Sequence, residues 1–237
     1  MTYVEHLVSS PLVSCTWEQR SDAHDEQRVV PDACVDLVWS GRRLTIAGPD
    51  TRARLVALDP GTRMVGVRLR PGVAGAVLGR PATELCDEAP DAHEVLGREA
   101  TEALLAALHA GGDPHAILRR AVELRAERTP DPLVLAAIAA LDRPDARVAE
   151  VADELGLSAR QLQRRVADAV GYGPKVLARI LRFRRLQAVA ARPSAPALAE
   201  LALDAGYADQ AHMTAEVTRL AGLSPVRFLK DRTPTAA

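Results

Sequence analysis

A segment that occurs twice, fifty residues apart, limits the fold of this chain more than any other feature. The first copy spans residues 148–158 and the second spans residues 198–208. In each copy, apolar residues recur at helical spacing and a glycine follows, Gly156 in one and Gly206 in the other. Glycine readily adopts the left-handed conformation that ends a helix in a sharp turn. The repeat therefore predicts two units of helix, turn and second helix.

The residues around each expected second helix support this prediction. Ser158 with Gln161 fits a capping box, and Asp209 is a suitable N-cap in the second copy. On a helical wheel the outward positions are Arg160, Gln163, Arg164 and Ala167, and then Ala211, Thr214, Ala215 and Thr218, with His212 on the flank. Arginine and glutamine read guanine and adenine edges in the major groove. We therefore expect Arg160, Gln163 and Arg164 to contact bases, whereas capping competes for Gln161.

A basic segment lies between the two copies. Residues 158–192 contain nine basic residues and one acid, Asp168, in a protein of net charge −1. Such a segment indicates a local polyanion site. A helix expected over residues 174–191 would span ~27 Å, compared with ~34 Å between successive major grooves on one face of DNA. The candidate DNA-backbone contacts are Ser158, Arg165, Lys175, Arg179 and Arg182, although Arg165 lies at the core boundary and has a local carboxylate as its alternative partner.

The rest of the chain changes character at about residue 90. Residues 33–39, 44–47 and 64–69 have the alternation and composition of strands, and turn residues separate them. Residues 98–110 and 114–127 have helical spacing, with Asp113 as N-cap and Pro114 at the first helical position. The order predicts an α+β fold: a strand-rich N-terminal sensor domain (1–97), a helical linker (98–129) and an all-α domain with two helix-turn-helix units joined by a long helix (130–237).

Other functional classes find little support in the sequence. The three cysteines are far apart and form no C-x-x-C motif, and the six histidines are scattered. The sequence has no G-x-S-x-G, H-E-x-x-H or P-loop motif. No apolar run approaches the ~18–20 residues of a membrane span. We expect a cytoplasmic protein with no catalytic residues, metal site or cofactor and no membrane partner.

The motifs of the C-terminal part resemble those of the AraC/XylS family of bacterial transcription regulators. The resemblance covers about residues 144–231 and rests on residues 156–164, 171–174, 179–183, 206–214 and 222–225. It implies double-stranded DNA as partner, base contacts from Arg160, Gln163 and Arg164, and contact positions at Gln210, Ala211, His212 and Thr214. Two departures stand out: Ala215 replaces a frequent arginine, and Val166 and Val217 replace the usual phenylalanines. We therefore expect most base specificity under the first recognition helix.

The N-terminal half is less informative. Residues 28–39 and 66–72 resemble a sensor-type domain found before such DNA-binding units in actinobacterial-style regulators. Candidate residues for an effector pocket are Trp17, Asp36, Trp39, Arg68 and Arg70. The resemblance identifies no ligand, so the small-molecule effector is unspecified, and RNA polymerase and a second copy of the chain are further candidate partners. Two alternatives stay open: a regulator with weak DNA binding that acts through protein contacts, and a small-molecule enzyme in the N-terminal half.

Overall fold

The computed structural model describes residues 1–126, 129–192 and 197–230. The N-terminal part begins with strands and continues with short helices. The strands are β1 (Thr2–Leu7), β2 (Val13–Ser21), β3 (Asp25–Val29), β4 (Val35–Trp39), β5 (Leu44–Ala47), β6 (Arg54–Leu58) and β7 (Thr62–Leu69). The helices that follow are α1 (Ala74–Leu78), α2 (Ala92–Leu96), α3 (Arg98–His109) and α4 (Pro114–Arg125), with a 3₁₀ turn at Ala82–Leu85.

The strands form two antiparallel sheets. A five-stranded sheet has the order β1-β2-β7-β4-β5, and β3 pairs with β6 in a separate two-stranded sheet. Side chains alternate between the faces of a strand. On β7 this alternation directs Val65, Val67 and Leu69 into the apolar core, whereas Arg68 pairs across the ladders with Asp36 and Cys15 on the opposite face.

Helices α3 and α4 pack on the apolar face of the five-stranded sheet. Leu104, Leu108, Leu118 and Val122 are buried in the same core cluster as Val67. The structure thus differs from the expected linker over residues 98–129, because the apolar faces of these helices cover the sheet. Asp113 is the N-cap of α4, as predicted. The end of the predicted linker includes Glu127 and Arg128, which lie outside the described residues.

The C-terminal part is helical, as predicted. Its helices are α5 (Pro132–Leu141), α6 (Val148–Glu154), α7 (Ala159–Val170), α8 (Pro174–Ala190), α9 (Leu198–Asp204), α10 (Gln210–Ala221) and α11 (Pro225–Lys230). One buried cluster joins them, with Leu162, Ile180, Phe183 and Met213 at or below 1% exposure. The two predicted units are α6–α7 and α9–α10, and α8 connects them. The C-terminal end of the predicted domain, residues 231–237, lies outside the described residues.

The N-terminal part contacts the C-terminal ends of both second helices. At α7, a Cβ on Gly171 would lie 2.5 Å from Cγ of Pro49. At α10, Arg28 Nη1 donates to the carbonyl oxygen of Ala221 at 3.0 Å, and Ala53 N donates to that of Leu220 at 2.6 Å. The N-terminal ends of α7 and α10 are far from these contacts and carry exposed residues.

Candidate nucleic-acid interface and ligand cavity

Helix α7 presents two arginines without partners. Its buried side is Leu162, Val166 and Val170, which leaves Arg160 and Arg164 exposed on the opposite side. Neither guanidinium makes a hydrogen bond or an ion pair with any residue that the structure describes. Each is therefore free to donate to an external acceptor. Residues near the start of the second helix are the ones that reach base edges in helix-turn-helix proteins.

The start of α7 is fixed by the predicted capping box. Gln161 N donates to Ser158 Oγ, and Gln161 Oε1 accepts from Ser158 N at 2.8 Å and from Ser158 Oγ at 2.9 Å. Both side chains are thereby engaged with each other, although both are exposed. Gln163 is also exposed, and its amide lies close to Gly173, where a Cβ would be 2.2 Å from Nε2. Unlike Ser158 and Gln161, Gln163 keeps its hydrogen-bonding groups free of partners within the described part of the chain.

Helix α10 presents a different surface. Asp209 caps it by accepting from His212 N at 2.7 Å, as the sequence predicts. Its outer face carries Gln210, Ala211, Thr214, Ala215 and Thr218, which are uncharged. The exposed Arg219 lies at the edge of this face, in the last turn. The Thr214 hydroxyl donates to the carbonyl oxygen of Gln210 at 2.8 Å, within the helix itself. This helix therefore offers mainly methyl groups to an external partner.

His212 belongs to a cluster that the sequence analysis missed. Its Nδ1 accepts from Ala208 N at 3.3 Å, so Nε2 carries the proton that it donates to Glu216 Oε1 at 2.6 Å. Arg182 on α8 donates to the same oxygen at 3.0 Å and lies 5.3 Å from the centre of the Tyr207 ring. The expectation that Arg182 binds the DNA backbone is therefore corrected: its guanidinium ties α8 to the second unit. The i,i+4 spacing of His212 and Glu216 on α10 is the available sequence signal. No local pattern predicts Arg182 or Tyr207 as their partners, because these residues lie on other elements.

Of the other basic residues predicted to contact the DNA backbone, one forms an ion pair within the protein and two do not. Arg165 forms an ion pair with Asp131, so the local carboxylate is its partner in this structure. Lys175 is exposed and Arg179 is half-buried, and both lack hydrogen bonds and ion pairs to described residues. Lys175 and Arg179 thus remain available for phosphate groups.

The predicted effector residues are only partly brought together. Trp17, Asp36 and Arg68 line a cavity of about 210 Å³ between the two sheets of the N-terminal part. Trp39 is directed away from it: its ring lies 6.3 Å from that of His109 on α3. Arg70 follows the end of β7 and donates to the carbonyl oxygen of Ser10 at 2.9 Å. The cavity also includes residues that the sequence analysis missed, namely Tyr3, Gln19, Gln27, Arg54 and Met64.

Two structural findings concern other classes of function. Within residues 1–126, 129–192 and 197–230, no three or more His, Cys, Asp and Glu side chains are grouped so that they could hold a metal ion. Among the same residues, no helix has the length and apolar character required to cross a membrane.

Comparisons with known proteins match the two parts of the chain separately. Residues 133–231 match the family described as helix-turn-helix domain, and residues 8–91 match a domain of unknown function, DUF6597. No curated protein matches the sequence.

Solved structures similar to this chain include ToxT from Vibrio cholerae O395, at 11% identity and a TM-score of 0.48, covering 93% of this chain and 98% of that one. Another is unsaturated fatty acid-bound ToxT from Vibrio cholerae strain SCE256, at 11% identity and a TM-score of 0.47, covering 95% and 96%. The α+β fold class is seen directly in the strands and helices described above. Residues 133–231 are therefore an AraC-type helix-turn-helix domain, a DNA-binding domain of transcription regulators.

Proposed function

We propose that one chain of this regulator reads an asymmetric DNA site, with α7 supplying most of the sequence specificity. The observation that carries this proposal is the pair of exposed, unpartnered guanidiniums of Arg160 and Arg164 on a capped helix. A guanidinium binds guanine O6 and N7 bidentately, and Gln163 has the matching amide for adenine. Gln161 takes a smaller part because its side chain is held in the capping box.

Helix α10 makes the second contact, and its chemistry predicts weaker discrimination. Gln210, Ala211 and Thr214 lie at its exposed start, and the methyl groups of Ala211 and Thr214 suit contact with thymine methyl groups. His212 is held by Glu216 and faces the flank, so we assign it a positioning role. Lys175 and Arg179 bind phosphate groups between the two reading helices.

The N-terminal part controls this interface through direct contacts. The two-stranded sheet β3–β6 forms one wall of the cavity through Gln27, Val29, Arg54 and Val56. The same region bonds to the end of α10 through Arg28 and Ala53. A small molecule in the cavity would therefore press on a wall that touches the second recognition helix. RNA polymerase and a second copy of the chain are further proposed partners, in a cytoplasmic protein without catalytic activity.

A second candidate function is a regulator that works mainly through protein contacts. The uncharged outer face of α10 favours it, because a small-residue surface also packs well against another protein. This candidate predicts that affinity for DNA is weak and lacks sequence preference.

The two candidates are separated by fluorescence anisotropy on duplex DNA from the upstream intergenic region of the protein's own gene. Binding is measured at two salt concentrations and against a scrambled competitor. The proposed function predicts affinity that falls steeply with salt and survives the competitor. Absence of binding at low salt would favour the protein-contact candidate.

A matched pair of variants tests the assignment to α7. The double variant Arg160→Ala, Arg164→Ala removes the proposed base contacts, whereas Arg119→Ala, Arg120→Ala removes two exposed arginines from α4. Both pairs change the net charge equally. We expect the first pair to abolish preference for the specific duplex and the second to leave it unchanged. Equal losses in both would contradict base reading by α7.

A further inference from the structure

The cavity of the N-terminal part has the size of a small ring compound. Its volume of about 210 Å³ exceeds that of a 150 Å³ protein cavity known to hold benzene. The pocket-facing side of the five-stranded sheet forms one wall and the β3–β6 sheet forms the other. A benzene-sized ring with a short substituent therefore fits.

One side of the cavity is lined by the aromatic rings of Trp17 and Tyr3, and Gly66 leaves the space that the Trp17 ring occupies. A Cβ on Gly66 would be 2.2 Å from the Trp17 indole, so only glycine lets the indole lie against β7. The Tyr3 ring stands beside it, with 5.8 Å between the ring centres and an angle of 32° between the ring planes. Both rings line the cavity. Indole and phenol faces attract cations as well as apolar groups.

The polar end of the cavity carries excess negative charge. Arg68, 5% exposed, donates to Asp36 at 3.0 and 3.1 Å and to Glu5 at 3.1 Å, and its Nε lies 3.4 Å from Asp32 Oδ2. Three carboxylates thus surround one guanidinium. Burial raises the pKa of Asp36, and the hydrogen bonds from Arg68 and from the Trp17 indole N–H oppose that shift. Arg54, at another part of the lining, pairs with Asp50 through Nη2, and its buried Nε has no partner among the described residues.

Two buried amides in the lining lack partners for their polar atoms. Gln27 is 6% exposed, and its side chain makes no hydrogen bond within the part of the chain that the structure describes. Gln19 is 1% exposed; its Nε2 contacts only the sulfur of Met1, and its Oε1 has no partner among the same residues. These atoms keep some contact with solvent, so they are polar positions of the lining at which water or a ligand can form a hydrogen bond.

We propose that this cavity binds a small amine with an aromatic ring, its ammonium group directed toward Asp32 and Asp36 and its ring against Trp17 and Tyr3. The ammonium adds a positive charge beside the carboxylates, which accept hydrogen bonds from its protons. An anionic ligand at this end would place a further negative charge beside three carboxylates, which is unfavourable. The inference rests on the proposed function only where it makes this ligand the regulator of DNA binding.

The test uses three probes of similar size and different charge. 2-Phenylethylamine, 2-phenylethanol and 3-phenylpropionate are titrated by calorimetry into the full chain without DNA. We expect the amine to bind about tenfold or more tightly than the alcohol, and the carboxylate to bind least. Equal or tighter binding of the carboxylate, or no binding of the amine at millimolar concentration, would overturn the proposal.

Variants locate the binding site. Gly66→Ala forces the indole into the cavity and should abolish amine binding. Trp39→Phe changes the opposite face of the same sheet and should leave amine binding intact. Asp36→Asn should reduce the preference for the amine over the alcohol; where it fails to fold, the order of the three probes on the unmodified chain still decides. Because no DNA is present, failure here leaves the reading of DNA by α7 and α10 untouched.

Discussion

Arg182 on α8 donates a hydrogen bond to Glu216 on α10 at 3.0 Å, although the two residues are 34 positions apart. The Glu216 oxygen that accepts it also accepts from His212, and Glu216 is 11% exposed. Removing one partner from a largely buried ion pair leaves the other charge uncompensated. This pair therefore fixes the orientation of the second unit on the connecting helix.

Two arginines on α8 should respond in opposite ways to the same substitution. Arg182→Gln should lower the free energy of unfolding by about 1–3 kcal/mol, because Glu216 loses its cation. Arg179→Gln should leave stability unchanged and lower the slope of log affinity against log salt by about 1, because Arg179 is assigned to phosphate. Urea unfolding and salt-dependent anisotropy measure the two effects. A salt slope that falls only for Arg182→Gln would refute the assignment.

Arg164→Ala should weaken binding to the specific duplex by about 1–3 kcal/mol and relax specificity at one base pair. The reason is that Arg164 is exposed and unpartnered on the reading face of α7. Arg165→Ala is the matched control one residue away, since it breaks the pair with Asp131 and should affect stability rather than base preference. Competition with duplexes carrying single substitutions measures both. Unchanged binding by Arg164→Ala, together with loss of binding by Gln210→Ala, would show that α10 is the main reader.

The sequence predicts the C-terminal part well because its signals are local. The Gly156 turn, the Ser158 capping box and the Asp209 cap each depend on residues within one turn of helix, and all are confirmed. The predicted connecting helix over residues 174–191 is α8, Pro174–Ala190. Arg182, by contrast, has the helical spacing of a surface arginine, and only the packing of α10 against α8 reveals its partner.

The N-terminal part is harder to predict because its strands line a polar cavity. Strand β2 buries Thr16, Gln19 and Ser21, so the apolar alternation that identifies a strand is absent. Strand β3, with the sequence DEQRV, has the composition of a charged loop. The strand pattern does argue against Trp39 as a pocket residue. Trp39 is three positions from Asp36 on β4, and residues an odd number of positions apart on a strand point to opposite faces of the sheet. Gln27 and Arg54 reach the cavity only through the second sheet, which no local pattern predicts.

Two glycines at positive φ should differ in their tolerance of alanine. Gly156 has a φ of +64° with nothing within 4 Å of an added Cβ, so Gly156→Ala should lower stability by about 1 kcal/mol through backbone strain alone. Gly171 has a φ of +101°, and its Cβ would meet Pro49 at 2.5 Å. Gly171→Ala should therefore lower stability by more, about 2–4 kcal/mol. In addition to the backbone strain, the new methyl group forces Pro49 of the N-terminal part away from α7. Denaturant unfolding measures the free energy of unfolding of both variants. Equal decreases would show that Pro49 moves aside at no energetic cost.

Asp50 should make the stability of the protein depend on pH. Burial raises the pKa of Asp50 from 3.8 to about 6, with Asp87, Asp32 and Asp36 adding to the shift and Arg54 opposing it. A carboxyl whose pKa is higher in the folded state binds more protons there, so its contribution to stability is complete below about pH 4 and is lost as pH rises through about 6. Asparagine does not titrate, so the stability of Asp50→Asn does not include this decrease with rising pH. Unfolding measured between pH 4 and 7 should therefore show the variant gaining about 1–2 kcal/mol relative to the unmodified chain as pH rises. Parallel pH profiles for the two proteins would mean that Arg54 keeps Asp50 ionised throughout this range.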